Sequence, residues 1–310
     1  LNSWLHTPQG HEVIDGVIYA KDWSAIIFNP SFPYRFSHML LASGLTASFL
    51  IAGLSAYRLL IGDNKIAPKL ALKTATYTAA VLIPLQILAG DMHGLNTLEH
   101  QPQKVAAMEG VWETEQGAPL LLFAIPDEQE RTNHAELAIP NLASFILTHE
   151  LDGEIKGLNE FRGEHPPVAP VFYSFRVMVG MGILMLFAAW AGSYYLFRRG
   201  ELPDWLGKLF IAMSFSGWVA TLAGWDVTEV GRQPYLVSGV LRTADAVTGL
   251  PPQNIGLSFA LYAVIYAVLM VAYIRTLTLM CRKSVGIEEI SKGDADERHT
   301  NKLDIASSNA

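Results

Sequence analysis

The 310-residue chain is 51% hydrophobic and only 16% charged, with a mean hydropathy of +0.26, whereas average soluble domains carry roughly 25% charged residues. Twenty-two Lys and Arg against 29 Asp and Glu give a net charge of −7 and a pI near 5.7, which argues against nucleic acid as a partner. A single cysteine, Cys281, excludes a disulfide-stapled fold. The apolar residues are gathered into runs, which is the pattern of an all-α integral membrane protein rather than of two soluble cores.

Residues 1–35 read as an extracytoplasmic lead-in. The chain opens on Leu1 in mid-pattern, which points to a missing N-terminal part. A spanning helix needs about 20 mainly apolar residues. Five runs free of Asp, Glu, Lys and Arg qualify: 36–57, 74–90, 177–197, 209–225 and 246–274. The two of 17 residues extend by a turn through a snorkelling Lys73 or Lys208. None is a cleavable signal peptide, since the first begins only at residue 36 without a cationic leader. The first two spans occupy 36–90 and the other three 168–283.

Charge asymmetry orients them. Arg58, Lys65, Lys69 and Lys73 follow the first span, Arg198, Arg199 and Lys208 the third, and Arg275, Arg282 and Lys283 the fifth, so these segments belong in the cytoplasm. Residues 91–167 hold four Lys and Arg against more than a dozen carboxylates and face outward. At 77 residues this connection far exceeds ordinary loops. Its Trp112, Phe123, Phe145, Phe161 and the apolar patch 119–126 mark it as ordered and functional. Residues 284–310 form a cytoplasmic tail, disordered from Gly286 on.

Ionisable and polar groups inside a membrane are functional hypotheses by default. His38 lies one turn into the first span and Met178 at the outer start of the third, which places them at one depth. Imidazole and thioether together suit six-coordinate haem iron, and Arg176 could neutralise a haem propionate. Alternatively, His38 caps an interface and Met178 is packing. Val105, Met108 and Trp112 form an apolar stripe on a short helix lying at the surface. Lys104 and Glu109 flank it, and a cation and a carboxylate beside an aromatic suit a quinol head group, one holding an oxygen and one accepting its proton. A solvated amphipathic helix explains the same pattern. In the fourth span Trp225 and Glu229 share a helical face, and Gly231 and Pro234 end the helix. Glu229 is placed to ligate or protonate something in the bundle with Arg232 as a compensating charge, or simply to form a helix-ending ion pair with it. Asp226 and His93 carry no assigned role.

The segments Asn2-Ser-Trp-Leu-His-Thr-Pro8, Gly90-Asp91, Gln101-Pro-Gln-Lys-Val-Ala-Ala-Met-Glu109, Trp112-Glu-Thr114, Phe175-Arg-Val-Met178 and Gly231-Arg-Gln-Pro234 resemble, in order, subunit I of the cytochrome bd-type quinol oxidases. The resemblance covers nearly everything from Leu1 to about Cys281. It implies that His38 and Met178 ligate the low-spin haem b, that Lys104 and Glu109 belong to the quinol-oxidising loop, and that Glu229 is the axial ligand or near neighbour of the high-spin haem b. Trp225 would lie beside the haems, with Arg176 and Arg232 serving propionates or charge balance. It further implies a haem d, reduction of oxygen to water, a second subunit with any accessory subunits, surrounding lipid, and a bacterial or archaeal cytoplasmic (inner) membrane.

Against the family, His6 stands where glutamine is usual and Tyr235 where tryptophan is usual. About four N-terminal spans are absent, so the chain resembles the C-terminal two-thirds of a nine-span subunit, and it is expected to be inactive alone. Two rivals remain. A cytochrome b subunit of a quinone-linked dehydrogenase would use paired histidines, where these spans offer only His38. A non-enzymatic transporter would show repeated halves with broken helices.

Overall fold

A computed structural model describes residues 2–63, 65–246 and 249–281 in full; the tail expected to be disordered from Gly286 lies outside the described residues. Five helices are long and apolar enough to cross a membrane: Phe32–Leu60, Ile66–His100, Val168–Arg199, Asp204–Arg232 and Pro252–Cys281. The chain is a multi-pass membrane protein. It divides into two compact units, Leu1–Gly53 with Ala71–Val247, and Leu54–Leu70 with Thr248–Ala310. In the second unit, Arg58 donates to the buried Asp63 at 2.9 and 2.6 Å, tying down the end of the first span. The remaining points concern the first unit.

Each expected span is present; the first four run further than their uncharged runs at both ends, while the fifth begins at Pro252, six residues inside its run, and extends past it to Cys281. The second shows why. Its charge-free stretch ends at Gly90, but no proline follows until Pro102, whose ring disfavours helix in the residue before it, and the lone Gly94 is tolerated within the helix. The helix therefore continues through Asp91, His93 and Glu99 to His100. This corrects the expectation that His38 is the only histidine within the spans. The fourth span is α-helical over Asp204–Ala212 and Ser216–Glu229, joined by a 3-10 turn at Met213–Phe215, and ends in a second such turn, Val230–Arg232.

The long connection is ordered, as its aromatic content predicts. The apolar patch becomes the strand Leu120–Asp127, which pairs antiparallel with Thr132–Ile139. The helix Leu142–Thr148 and the short pair Glu115–Gln116 with Glu154–Ile155 complete it. The lead-in is held by buried side-chain bonds. Thr7 donates to Asn29 at 3.1 Å, Asn29 to Ser3 at 3.0 Å, and Ser31 to Asn96 of the second span at 3.1 Å. These fix the short helix Asn2–His6, and with it His6.

Between the second span and the hairpin lies the helix Pro102–Glu109. Pro102 at its first turn loses nothing, because that N–H has no intrahelical partner. Gly110 ends it in the left-handed conformation, φ 73°, which a residue with a Cβ rarely adopts. Six consecutive residues, Lys104 to Glu109, are buried. The expected surface helix is therefore corrected. Ala106 and Ala107 let Leu158, Val168 and Val171 close over one side, and Val105 packs with Val111, Ala118 and Ala143 on another.

Candidate functional site

Burial of this helix changes what Lys104 and Glu109 can do. They are five residues apart, hence about 140° apart around the helix at 3.6 residues per turn, and they enter different networks. Lys104 Nζ donates to Gln101 Oε1 at 2.7 Å, lies 3.1 Å from His6 Nδ1 and 3.5 Å from the Thr228 carbonyl. Gln101 donates onward to Ser238 Oγ at 2.8 Å. Burial, then the nearby Arg35 and Arg232 charges, push Lys104 well below the usual amine range, because each disfavours a second cation. Burial likewise pushes His6 down.

Glu109 instead meets Arg176, whose Nη2 lies 3.3 Å from its carboxylate. Arg176 also donates to the Leu121 carbonyl at 2.9 Å and to the Met108 carbonyl, and its guanidinium lies 3.5 Å from the centre of the Phe172 ring. It fastens the helix, the hairpin and the third span to one another. Burial pushes the Glu109 carboxyl up, and Arg176 pulls it partly back.

At the end of the fourth span, Glu229 accepts from Asn2 at 2.6 Å and from Arg232. The ion pair offered as an alternative is thus present. Arg232 is buried, yet its Nε and Nη1 have no partner among the described residues; neither does Nε of Arg35. Trp225, one turn before Glu229, is exposed and joins none of these networks among the described residues.

His38 and Met178 each face a glycine. A Cβ on Gly90 would meet the His38 ring at 3.3 Å, and one on Gly224 would meet the Met178 sulfur at 2.8 Å. His38 Nε2 lies 3.0 Å from the Gln86 amide, and its buried Nδ1 has no partner among the described residues. His93 lies beside it, ring centroids 5.6 Å apart. Buried polar groups are nearly always hydrogen-bonded. Imidazole nitrogen, thioether and orphaned guanidinium N–H groups, next to space kept by glycine, make a donor set that fits iron and the carboxylates of a haem.

Sequence reasoning missed Asn2, His6, Arg35, Gln86, His93 and Gln101 as members of these networks. The unbroken helical pattern beyond Gly90 was a usable signal for His93. Nothing local marks the others, because their partners are distant in the chain.

Compared with known proteins, residues 1–285 match the family of cytochrome bd terminal oxidase subunit I. The cytochrome bd ubiquinol oxidase subunit 1 of Bacillus subtilis is 31% identical over 96% of this chain and 64% of that relative. The cytochrome bd-II ubiquinol oxidase subunit 1 of Escherichia coli is 27% identical over 87% of this chain and 66% of its own length. The structure of bd oxidase from Geobacillus thermodenitrificans superposes with a TM-score of 0.81 at 31% identity, covering 91% of this chain and 65% of that one. The chain spans just under two thirds of the length of the relatives it matches.

Proposed function

Because the chain belongs to the cytochrome bd terminal oxidase subunit I family, we propose that it is the haem-binding, quinol-oxidising part of a terminal oxidase that reduces oxygen to water with a second subunit. The observation that carries this is the set of buried polar atoms without partners among the described residues, His38 Nδ1, Arg35 Nε, and Nε and Nη1 of Arg232, beside the glycines against which His38 and Met178 pack. His38 and Met178 are the residues to hold a low-spin haem b. Glu229 would serve a high-spin haem b near a haem d, with Trp225 alongside. Arg35 and Arg232 would neutralise propionates, while Arg176 is committed to Glu109. When bound, the haems supply the one-electron steps between quinol and oxygen.

The protein's own part is to bind quinol and handle its protons. Glu109 and Lys104 point to different sides of one helix, which suits one group for each quinol hydroxyl. Glu109 accepts a proton as carboxylate, and Lys104, kept from full basicity by burial and by Arg35 and Arg232, holds an oxygen and accepts as amine. The long connection faces outward from the cytoplasmic membrane of a bacterium or archaeon, so those protons leave on the outer side.

A second reading shares the fold. The 5.6 Å approach of His93 to His38 favours a paired-histidine haem, as in cytochrome b subunits of dehydrogenases. Met178→Leu in the intact complex separates the two. Leucine matches methionine in bulk but offers iron no lone pair. The reduced-minus-oxidised spectrum is expected to lose its low-spin haem b signature while the haem d band stays. An unchanged low-spin signature assigns the sixth ligand to His93 instead.

A further inference from the structure

The hairpin Leu120–Ile139 has two unlike faces and two unlike ends. One face buries Leu121 and Ala124 against Phe172 of the third span. Directly opposed residues of a hairpin share a face, and the pairs Phe123 with Leu137 and Leu120 with Ile139 define the other one. There Phe123, Ile125, Leu137 and Ile139 are 41 to 60% exposed. Charge is gathered at the tip, in Asp127, Glu128, Glu130, Arg131 and His134. The one carboxylate deeper in the strands, Glu136, follows the strand alternation away from Leu137 and borders a cavity with Leu121 and Trp112.

The third span measures how deep the hairpin lies. Glu128 accepts from the Val168 N–H at 2.6 Å, so the charged tip sits at the first residue of that helix. Further down, the Tyr173 hydroxyl donates to the Ala124 carbonyl at 3.0 Å and Arg176 donates to the Leu121 carbonyl at 2.9 Å. From Val168 to Arg176 is about 12 Å along the axis at 1.5 Å per residue, and the uncharged run of the span begins at the next residue, Val177. The strands thus descend toward the apolar layer with their charge at the outer end and Phe123, Leu137 and Ile139 toward the inner one.

Two further features suit a dry setting. A sheet edge in lipid needs its carbonyls satisfied by protein, and here side chains of the third span satisfy those of Leu121 and Ala124. Tyr173 also heads a stripe of exposed residues down that span, Tyr173, Val177, Gly180, Leu184 and Phe187, at the spacing of one helical face. Such a stripe is what a spanning helix offers to lipid, and the hairpin joins its upper end through Tyr173. We propose that the exposed face of the hairpin is seated in phospholipid, with Phe123, Leu137 and Ile139 against the upper acyl chains of the adjacent leaflet and the charged tip in water. Lipid contact there follows from the spans, whatever substrate the protein takes.

The test uses the intact complex carrying this subunit, reconstituted into phospholipid vesicles. With the unaltered protein, a phospholipid bearing a photoactivatable diazirine high on its acyl chain should label residues 120–126 and 134–139 along with the third span, and spare the tip, 127–131. Labelling of the span without the hairpin overturns the proposal. A second measurement places spin labels singly at Phe123→Cys, Leu137→Cys and Glu130→Cys, with Cys281→Ser removing the only native thiol of this chain, the partner subunit freed of thiols likewise, and the haem spectrum as the control for folding. At 123 and 137, collision with oxygen, which concentrates in lipid, should exceed collision with a water-soluble nickel chelate several-fold; at 130 the ratio should reverse. Free access of the chelate to 123 and 137 would put the face in water, and shielding from both probes would mean that a protein surface covers it. Either result overturns lipid contact.

Discussion

The two ends of the helix Pro102–Glu109 are buried alike and held by unlike means. At one end the Glu109 carboxylate meets a guanidinium that is itself bound to three backbone carbonyls and lies over the Phe172 ring. At the other, Lys104 bonds only neutral acceptors, with two further cations and, less strongly, the Glu229 carboxylate acting on it from nearby. A buried charge with an opposite partner is fixed in place, because losing either partner leaves the other uncompensated. A buried cation among neutral acceptors can shed its proton at far lower cost. The Glu109 end is the anchor of the site, and the Lys104 end is the one held without a direct ion pair.

The sharpest way to break this contrast is Arg176→Leu. It strands the carboxylate and removes the tie between helix, hairpin and third span. Deleting one partner of a buried pair costs about 3–5 kcal/mol, and the low end applies because the Arg176 side chain is 16% exposed. Thermal unfolding and protease sensitivity of residues 110–167 should both report it. An equal loss from Lys104→Met would erase the distinction between the two ends.

Glu109→Gln addresses protonation rather than anchoring. Burial raises the carboxyl above its unfolded value. Its favourable contribution to stability is therefore present at low pH and lost as pH rises through the folded value. Glutamine cannot ionise, so the variant should gain on the unaltered protein in unfolding experiments as pH rises from the acid side. Turnover moves the other way. As proton acceptor Glu109 must be ionised, so quinol oxidation should rise with pH through an inflection above about 4.3, the ordinary glutamate value. In the variant that inflection should vanish and turnover fall at least about 10²-fold. An inflection that persists would assign it to another group.

The anchor was less legible in the sequence than the spans were. Length and hydropathy sufficed for five helices, because a bilayer imposes both on any chain that crosses it. They failed at helix ends, where charge was used as a boundary although only Pro102 breaks the second span; Asp91, His93 and Glu99 were lost to the loop for that reason. Lys104 and Glu109 were found, but their setting was not. An apolar stripe is shared by helices on a surface and helices beneath a hairpin, and the hairpin Leu120–Ile139 is itself disguised. Its register shifts between Leu121 and Phe123, and again between Phe123 and Ile125, so strict alternation never appears. His6 and Lys104 lie 98 positions apart, and no periodicity joins them.

The smallest expected effect concerns how the hairpin holds the anchor end. Asn133, on the second strand, donates to the Gly110 carbonyl at 2.9 Å and accepts from Trp112 Nε1 at 2.9 Å. Gly110 is the residue at which the short helix stops, so Asn133 fixes the chain one step beyond Glu109. Arg131 of the same hairpin covers the Trp112 ring at 5.4 Å. Asn133→Ala leaves the indole N–H and the carbonyl without these partners, at about 1–2 kcal/mol for partly buried groups that water can reach. Since Arg176 still holds Glu109, quinol turnover should change less than stability. Hydrogen exchange should quicken at residues 110–112 and stay slow at 103–106, where Gln101 and His6 hold the other end. Equal quickening at both ends would mean that the helix is held as one piece, and that the contrast between its ends lies in charge alone.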